Sequence, residues 1–392
     1  MQETARYILT VNSGSSSIKC SVYTTENTDT PITSGAIEGI GLSDVYMRIH
    51  NGQQTERVAL KNTTTHEEAL AQLVAKLVPQ DAGTLSAIGY RVVHGGTLFE
   101  APTRVDAQVL HNIGTLAHLA PEHLPAQLAC MKALTQQFPS SIHVACFDTA
   151  FHYHMPRVAR LTTLPRKYEA LGLRRYGFHG LSYEYLHTAY SKKYPDHAQH
   201  KVIYAHLGNG ASLCAVKNDT SYDTSMGLTP TSGIMMSTRA GDIDPGIAPF
   251  LEATAGVSST EFNTLVHTAS GLLGVSGTSG DMRKLLENEA TDNSAAEAVA
   301  LFCYTVKKYI GAYSAVLGGI DALVFSGGIG EQSPIIRERI CAGLAYLGIT
   351  IVPTRNTANA DVISSEGATV TVLVMPTHED QILAEHVMTF IS

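Results

Sequence analysis

Two strand–turn–strand units, one in each half of the chain, constrain the fold most. In the middle, His206-Leu-Gly-Asn-Gly210 separates the strand formers Lys201-Val-Ile-Tyr-Ala205 from Ser212-Leu-Cys-Ala-Val216. Near the start, Asn12-Ser-Gly-Ser-Ser-Ser17 separates Tyr7-Ile-Leu-Thr-Val11 from Ile18-Lys-Cys-Ser-Val22. Both turns are small, polar and glycine-bearing. Glycine lets backbone approach a ligand closely, and successive turn N–H groups make an anion-binding nest. One such turn per half predicts a duplicated fold that grips a polyphosphate from both sides. For the first turn two readings stand. Asn12 and the serines hold phosphate oxygens with Lys19 adding charge, or the turn is a tight polar hairpin with a solvated lysine. Neither GxxxxGK[ST] nor GxGxxG occurs, so a P-loop and a Rossmann site are both unsupported.

The chain between and after these turns alternates strands with helices, a mixed α/β pattern. Thr65-His-Glu-Glu68 has the form of a capping box, and Leu70, Leu73, Val74 and Leu77 recur at helical spacing up to Pro79. Arg91 ends the apolar run Leu85–Tyr90. A buried guanidinium needs an anion, so Arg91 faces either a carboxylate or phosphate ligand or a protein carboxylate. His94 is an orienting group or a core histidine. His118, Glu122 and His123 lie in a proline-flanked stretch, where a structural metal is the lesser reading. A helix over Ala126–Phe138 precedes the strand Ile142–Phe147. That strand ends in Asp148, a place for Mg2+ or catalysis, or for capping the next turn.

Gly177 and Gly180 flank Phe178-His179, predicting a sharply shaped loop. Its histidine either donates to a developing phosphoryl charge or is structural. Arg239 lies among glycines and acids, and Asp242 and Asp244 either pair with it or tune a substrate site. Gly271, Gly274, Gly277 and Gly280 read as a flexible loop ending at Asp281-Met-Arg283. Ser294-Ala-Ala-Glu297 reads as the capping box of a long helix to about Val316, suited to close packing or a subunit interface. A strand at Asp321–Phe325, the glycine loop Ser326–Gly330 and a helix from Pro334 present N–H groups to an anionic or nucleotide ligand. The strand Val370–Met375 and the helix Asp380–Phe390 close the chain.

The 392 residues suffice for two domains with substantial cores. A net charge of -8 with no lysine or arginine cluster argues against a nucleic-acid partner. Met1–Arg6 lacks the pattern of a signal peptide, and no apolar run reaches the roughly 20 residues that span a membrane. The six cysteines are scattered, with no CxxC. Buried reduced thiols in a cytoplasmic protein are the expectation.

Taken together, these pieces resemble the acetate kinase family, within the superfamily of acetate and sugar kinases, heat-shock chaperone ATPases and actin. The resemblance runs in one register from Val11 to the C-terminus. It rests on Asn12-Ser-Gly-Ser-Ser-Ser-Ile-Lys19, Arg91-Val-Val-His-Gly-Gly96, Phe147-Asp-Thr-Ala-Phe-His152, Arg175-Tyr-Gly-Phe-His-Gly180, His206-Leu-Gly-Asn-Gly210, Thr224-Ser-Met-Gly, Thr238-Arg239, Ile243-Asp-Pro245 and Gly328-Ile-Gly-Glu331. It implies two similar ribonuclease H-like (actin-like ATPase) α/β domains with a central cleft. The first is 1–148 plus 380–392. The second, 149–379, carries the adenosine site and a homodimer interface.

The implied reaction is reversible phosphoryl transfer from ATP to acetate or another short carboxylate, with Mg2+, or Mn2+ as its substitute. The resemblance assigns Arg91 and Arg239 to the carboxylate and the transferring phosphoryl, and His179 to transition-state stabilisation. Asp148 and Glu379 become the acids associated with magnesium, with Asn12 near the metal. Asn12, Ser15, Ser17 and Lys19 match the first phosphate loop. His206, Asn209 and Gly210 match the second. Asp281, Arg283, Gly328 and Ile329 match the adenosine pocket, and Val93, Phe178 and Pro230 an apolar acyl pocket.

The sequence departs from the family pattern at several points. Glu122 replaces a leucine of the acyl pocket, Leu181 a threonine, Ser237 a glycine, and Gln332 and His378 the usual asparagine or aspartate. Acetate is favoured over propionate, with that choice left open by Glu122. A sugar kinase of the superfamily would need a general base and no paired arginines. A chaperone or filament protein would have no role for Arg91, His179 and Arg239.

Overall fold

A computed structural model describes residues 6–42, 44–52, 54–60, 65–78, 85–196 and 199–391. They form two compact units. One takes the residues up to Phe151 and those from His378 onward, and the other is His152–Thr377.

The first unit is built on an eight-stranded sheet. Its strands are β1 (Tyr7–Ser13), β2 (Ser17–Thr24), β3 (Thr33–Glu38), β4 (Val45–Asn51), β5 (Gln54–Leu60), β6 (Leu85–Val92), β7 (Thr103–Arg104) and β8 (Ile142–Phe147). Their order is β5-β4-β3-β2-β1-β6-β8-β7. The strands β1 to β5 pair antiparallel, while β1, β6 and β8 run parallel. The helix His66–Leu77 packs on β2 and β3, and the Thr65/Glu68 capping box is formed at its start. Its Leu70, Leu73, Val74 and Leu77 are buried, each worth about 1.5–3 kcal/mol. Pro79, the expected stop, lies outside the described residues. The C-terminal helix Glu379–Met388 covers β1, β6 and β8 with Ile382, Leu383 and Val387 buried.

The second unit carries a five-stranded sheet of β9 (Lys201–Leu207), β10 (Ala211–Lys217), β11 (Thr220–Thr224), β12 (Ala322–Ser326) and β13 (Thr371–Val374). Its order is β11-β10-β9-β12-β13, with β9, β12 and β13 parallel and the hairpin strands antiparallel. The same arrangement occurs in the first sheet as β3-β2-β1-β6-β8. The fold is therefore a duplication, and in each copy the first strand of the hairpin is also the first of the three parallel strands.

Several elements differ from the sequence expectation. Gly271–Ser276 is a short helix, closed by Gly277 in the left-handed region (φ 67°), where a flexible loop was expected. The long helix starts earlier than the Ser294/Glu297 box, because Asp292 accepts from the N–H groups of Ser294 and Ala295 and caps Asn293–Leu317. The stretch after β12 is already helical over Gly327–Gln332. The sequence reading put 149–379 in the second domain. Glu379 begins the helix laid on the first sheet, so His378 and Glu379 pack with the first unit.

Candidate active site

In the first unit the polar residues gather at the carboxyl ends of the parallel strands, where open α/β sheets bind ligands. Val11 lies opposite Tyr90, and Arg91 opposite Cys146, so Asn12, Arg91 and Asp148 share one edge. Arg91 Nε donates to Asp148 Oδ1 at 3.0 Å and Nη2 to Oδ2 at 2.6 Å. Nη1 donates to Asn12 Oδ1 at 3.0 Å, and Asn12 Nδ2 donates to Glu379 Oε2 at 3.2 Å. Burial opposes the charged guanidinium, but Asp148 and then Glu379 outweigh it and hold Arg91 protonated. Of the two sequence readings of Arg91, the protein carboxylate is the one present here, and the side chain it holds is still 19% exposed.

The turn after β1 is closed by the Gly14 N–H donating to Ser17 O at 2.8 Å. Ser15 and Lys19 are exposed and Ser17 is half-buried. Val93 is buried, and its N–H donates to Gln127 Oε1 at 3.0 Å. Gln127 Nε2 in turn donates to Ser13 O at 2.9 Å, tying the ends of β1 and β6 together. Glu122 is exposed ahead of the helix Leu124–Gln137. Among the described residues no group of three His, Cys, Asp or Glu side chains converges to hold a metal, the stretch around His118 and His123 included.

In the second unit His179 has φ 58°, a left-handed conformation uncommon for a residue with a Cβ, at the start of the helix Gly180–Lys193. Its Nδ1 lies 2.9 Å from Ser212 Oγ, and its ring stacks on His206 with centroids 4.4 Å apart. His206 Nδ1 lies 2.8 Å from Ser182 Oγ. A Cβ placed on Gly210 would lie 3.2 Å from His179 Nε2 and 3.5 Å from Arg239 Nη1. The bare glycine is therefore the floor on which the histidine and the arginine converge. Arg239 is oriented by Nη1 donating to Pro230 O at 3.0 Å. Asp242 does not supply a carboxylate for it, since it accepts from the Gly233 N–H and Tyr309 OH. Phe178 is buried.

Beside Gly210 opens a cavity of about 970 Å³. Asn209, Gly210, Arg239, Asp281, Arg283, Gly328 and Ile329 all line it, so seven of the expected residues share one space. Asp281 caps the helix Met282–Asn288 and pairs with Arg283 through Nη2 and Oδ2 at 2.9 Å. The hydrogen bond from Arg283 lowers the Asp281 carboxyl below its usual range. Ser237 and Gln332, noted as departures, also line the cavity.

Other residues carried no sequence signal. Leu286 and Ser333 line the cavity, but their types are unremarkable at their positions. Gln127 and Asp380 sit in helices as ordinary polar residues. In the fold Asp380 accepts from Ser21 Oγ at 2.8 Å, and burial pushes its carboxyl up. Arg337 is wholly buried, with five donated bonds to Gly330 O, Glu331 O, Asn356 O and Oδ1, and Asn359 Oδ1. It fastens the helix that bears Gly328 and Ile329.

All six cysteines are buried and free. Among the described residues no helix is long and apolar enough to cross a membrane. A sequence model of the Acetokinase family matches residues 7–385. An acetate kinase of Rhodopseudomonas palustris (strain TIE-1) is 41% identical over 394 residues, covering 97% of each chain. Propionate kinase PduW of Salmonella typhimurium is 40% identical over 391 residues, covering 97% of this chain and 96% of its own. The crystal structure of Porphyromonas gingivalis acetate kinase matches with a TM-score of 0.90 and 34% identity, over 99% of this chain and 100% of that one. The duplicated sheets are thus those of the actin-like ATPase fold, and the chain belongs to the acetokinase family of carboxylate kinases.

Proposed function

We propose that this protein is an acetate kinase, transferring the γ-phosphoryl of ATP reversibly to acetate to give acetyl phosphate and ADP. The observation that carries this reading is the convergence of His179 and Arg239 on Gly210, beside a nucleotide-sized cavity. A phosphoryl in transfer spreads negative charge over its equatorial oxygens, so catalysis is mostly positioning and neutralisation. Arg239 supplies a fixed cation and His179 Nε2 a donor. Arg91, held by Asp148 and Asn12, supplies a second guanidinium for the carboxylate. Acetate is already a nucleophile, so no general base is required.

Asn209, Asp281, Arg283, Gly328 and Ile329 hold the nucleotide, with Ser15, Ser17, Lys19 and His206 contributing to phosphate binding. Val93, Phe178 and Pro230 meet the methyl group of acetate. Mg2+ is held by oxygen donors, usually one or two carboxylates with waters and phosphate oxygens. Glu379, 17% exposed beside the Asn12 carboxamide, fits that donor type. Asp148, with both oxygens on Arg91, fits a guanidinium clamp. Bound Mg2+ would neutralise phosphate charge. The protein is a cytoplasmic homodimer in this reading.

Propionate kinase is the second reading, favoured by the 40% identity to a propionate kinase. One methylene changes discrimination by only about 1–3 kcal/mol. The test is Mg-ATP-dependent acyl-phosphate formation, trapped with hydroxylamine, with acetate, propionate and butyrate side by side. The highest kcat/KM is expected with acetate. A higher value with propionate supports the second reading, and no product from any of them removes both.

A further inference from the structure

The motif Phe147-Asp-Thr-Ala-Phe-His152 ends in a histidine to which the proposed reaction gives no task. His152 is wholly buried. Its Nε2 lies 3.0 Å from Phe178 O, and its Nδ1 lies 2.8 Å from Ser221 Oγ. A carbonyl can only accept, so Nε2 carries the proton and Nδ1 accepts from the serine hydroxyl. Burial holds the ring neutral, which fits one donor and one acceptor nitrogen.

Phe178 O belongs to the peptide that leads into His179, the residue with φ 58°. The ring of His152 also fills the space in front of Gly177, where a Cβ would lie 2.6 Å from His152 Cδ2. Gly177 itself has φ 80°. One imidazole therefore fixes the two residues before His179, by hydrogen bond and by contact. A second path runs through side chains. His152 meets Tyr183 edge-on with centroids 5.6 Å apart, and Tyr183 OH bonds the same Ser212 Oγ that lies against His179 Nδ1.

We propose that His152 is a positioning residue for His179, holding its left-handed backbone and aiming Nε2 at the transferred phosphoryl. This rests on the reading of His179 given above. Neither path touches the nucleotide cavity, so the effect belongs in kcat and not in nucleotide affinity.

The test is a cycle of His152→Phe, His179→Ala and the double variant, with His152→Gln as the conservative change. Phenylalanine keeps the ring volume and loses the donor, whereas the glutamine amide reaches Phe178 O. We expect His152→Phe to lower kcat about tenfold or more, with KM for ATP within about threefold. His152→Gln should stay within about threefold of wild type. In the His179→Ala background, His152→Phe should cost nothing further. If His152→Phe does not fold, His152→Asn, whose shorter amide falls short of Phe178 O, is read in its place. Wild-type kcat in His152→Phe overturns the inference. So does an equal loss in His152→Gln, or the same fold-loss with and without His179. Wild-type kcat in His179→Ala overturns the reading on which the inference rests, and the inference with it.

Discussion

Arg91 grips Asp148 through two parallel hydrogen bonds, 3.0 Å from Nε and 2.6 Å from Nη2, while the carboxylate is only 1% exposed. The pair is rigid on one side and open on the other. Asp148→Asn replaces an acceptor oxygen with an amide that faces a cation. Breaking such a pair leaves an uncompensated buried charge, worth about 3 kcal/mol. We expect denaturant unfolding to register that loss, and kcat/KM for the carboxylate to fall at least about a hundredfold. A fall of less than about tenfold in the folded variant would remove Asp148 from the machinery.

Ser237, a position where the family resemblance leads one to expect glycine, is tied to Asn209 twice. Its N–H donates to Asn209 O at 3.2 Å and its hydroxyl to Asn209 Oδ1 at 3.3 Å. The second bond turns the carboxamide oxygen toward Ser237, and in the proposed reaction the NH2 group then faces a phosphate oxygen. Ser237→Ala removes only that bond. KM for ATP should rise about three- to tenfold with kcat unchanged, as for a lost neutral hydrogen bond. An unchanged KM would show that Asn209 needs no such orientation.

The hairpins and parallel strands were legible because their apolar runs and glycine turns are local. Asn12, Arg91 and Asp148 were legible as strand-end residues, and the sheet order then brought them together. What stayed hidden depends on contacts distant in sequence. Gln127 reads as an ordinary helix residue until the fold lays it between Ser13 and Val93. Arg337 lies in no motif that the sequence singled out, yet it is wholly buried among neutral oxygens. The glycines of 271–280 pointed to a loop, but Leu272 is buried and Gly271–Ser276 packs on the long helix, which overrides weak propensity.

Buried His152 gives stability a definite pH dependence. Burial lowers its pKa from 6.5 to about 4. Above pH 6.5 both folded and unfolded chains hold it neutral, and it contributes nothing. Between about pH 6.5 and 4 only the unfolded chain takes the proton, so stability falls as pH falls. Below about 4 both states are protonated and the loss is complete, at about 3 kcal/mol. His152→Gln has no such group. Its acid-unfolding midpoint should lie lower than that of wild type. A coincident midpoint would mean that His152 is protonated equally in both states.

Glu122 would reshape substrate choice only by reaching the acyl group. A carboxylate in an acyl pocket would repel both carboxylate substrates alike and raise both KM values, and by changing the room for the alkyl end it would also shift the acetate-to-propionate ratio. The side chain is exposed ahead of the helix Leu124–Gln137, and exposed charges couple weakly to their surroundings. Glu122→Leu installs the residue type that the family resemblance leads one to expect. The ratio of kcat/KM for acetate to that for propionate should change by less than about threefold. KM for acetate should likewise hold as ionic strength is raised in the wild type, because a repelling carboxylate would be screened. A tenfold shift in the ratio would place Glu122 against the substrate and make this loop the source of the enzyme's acyl preference.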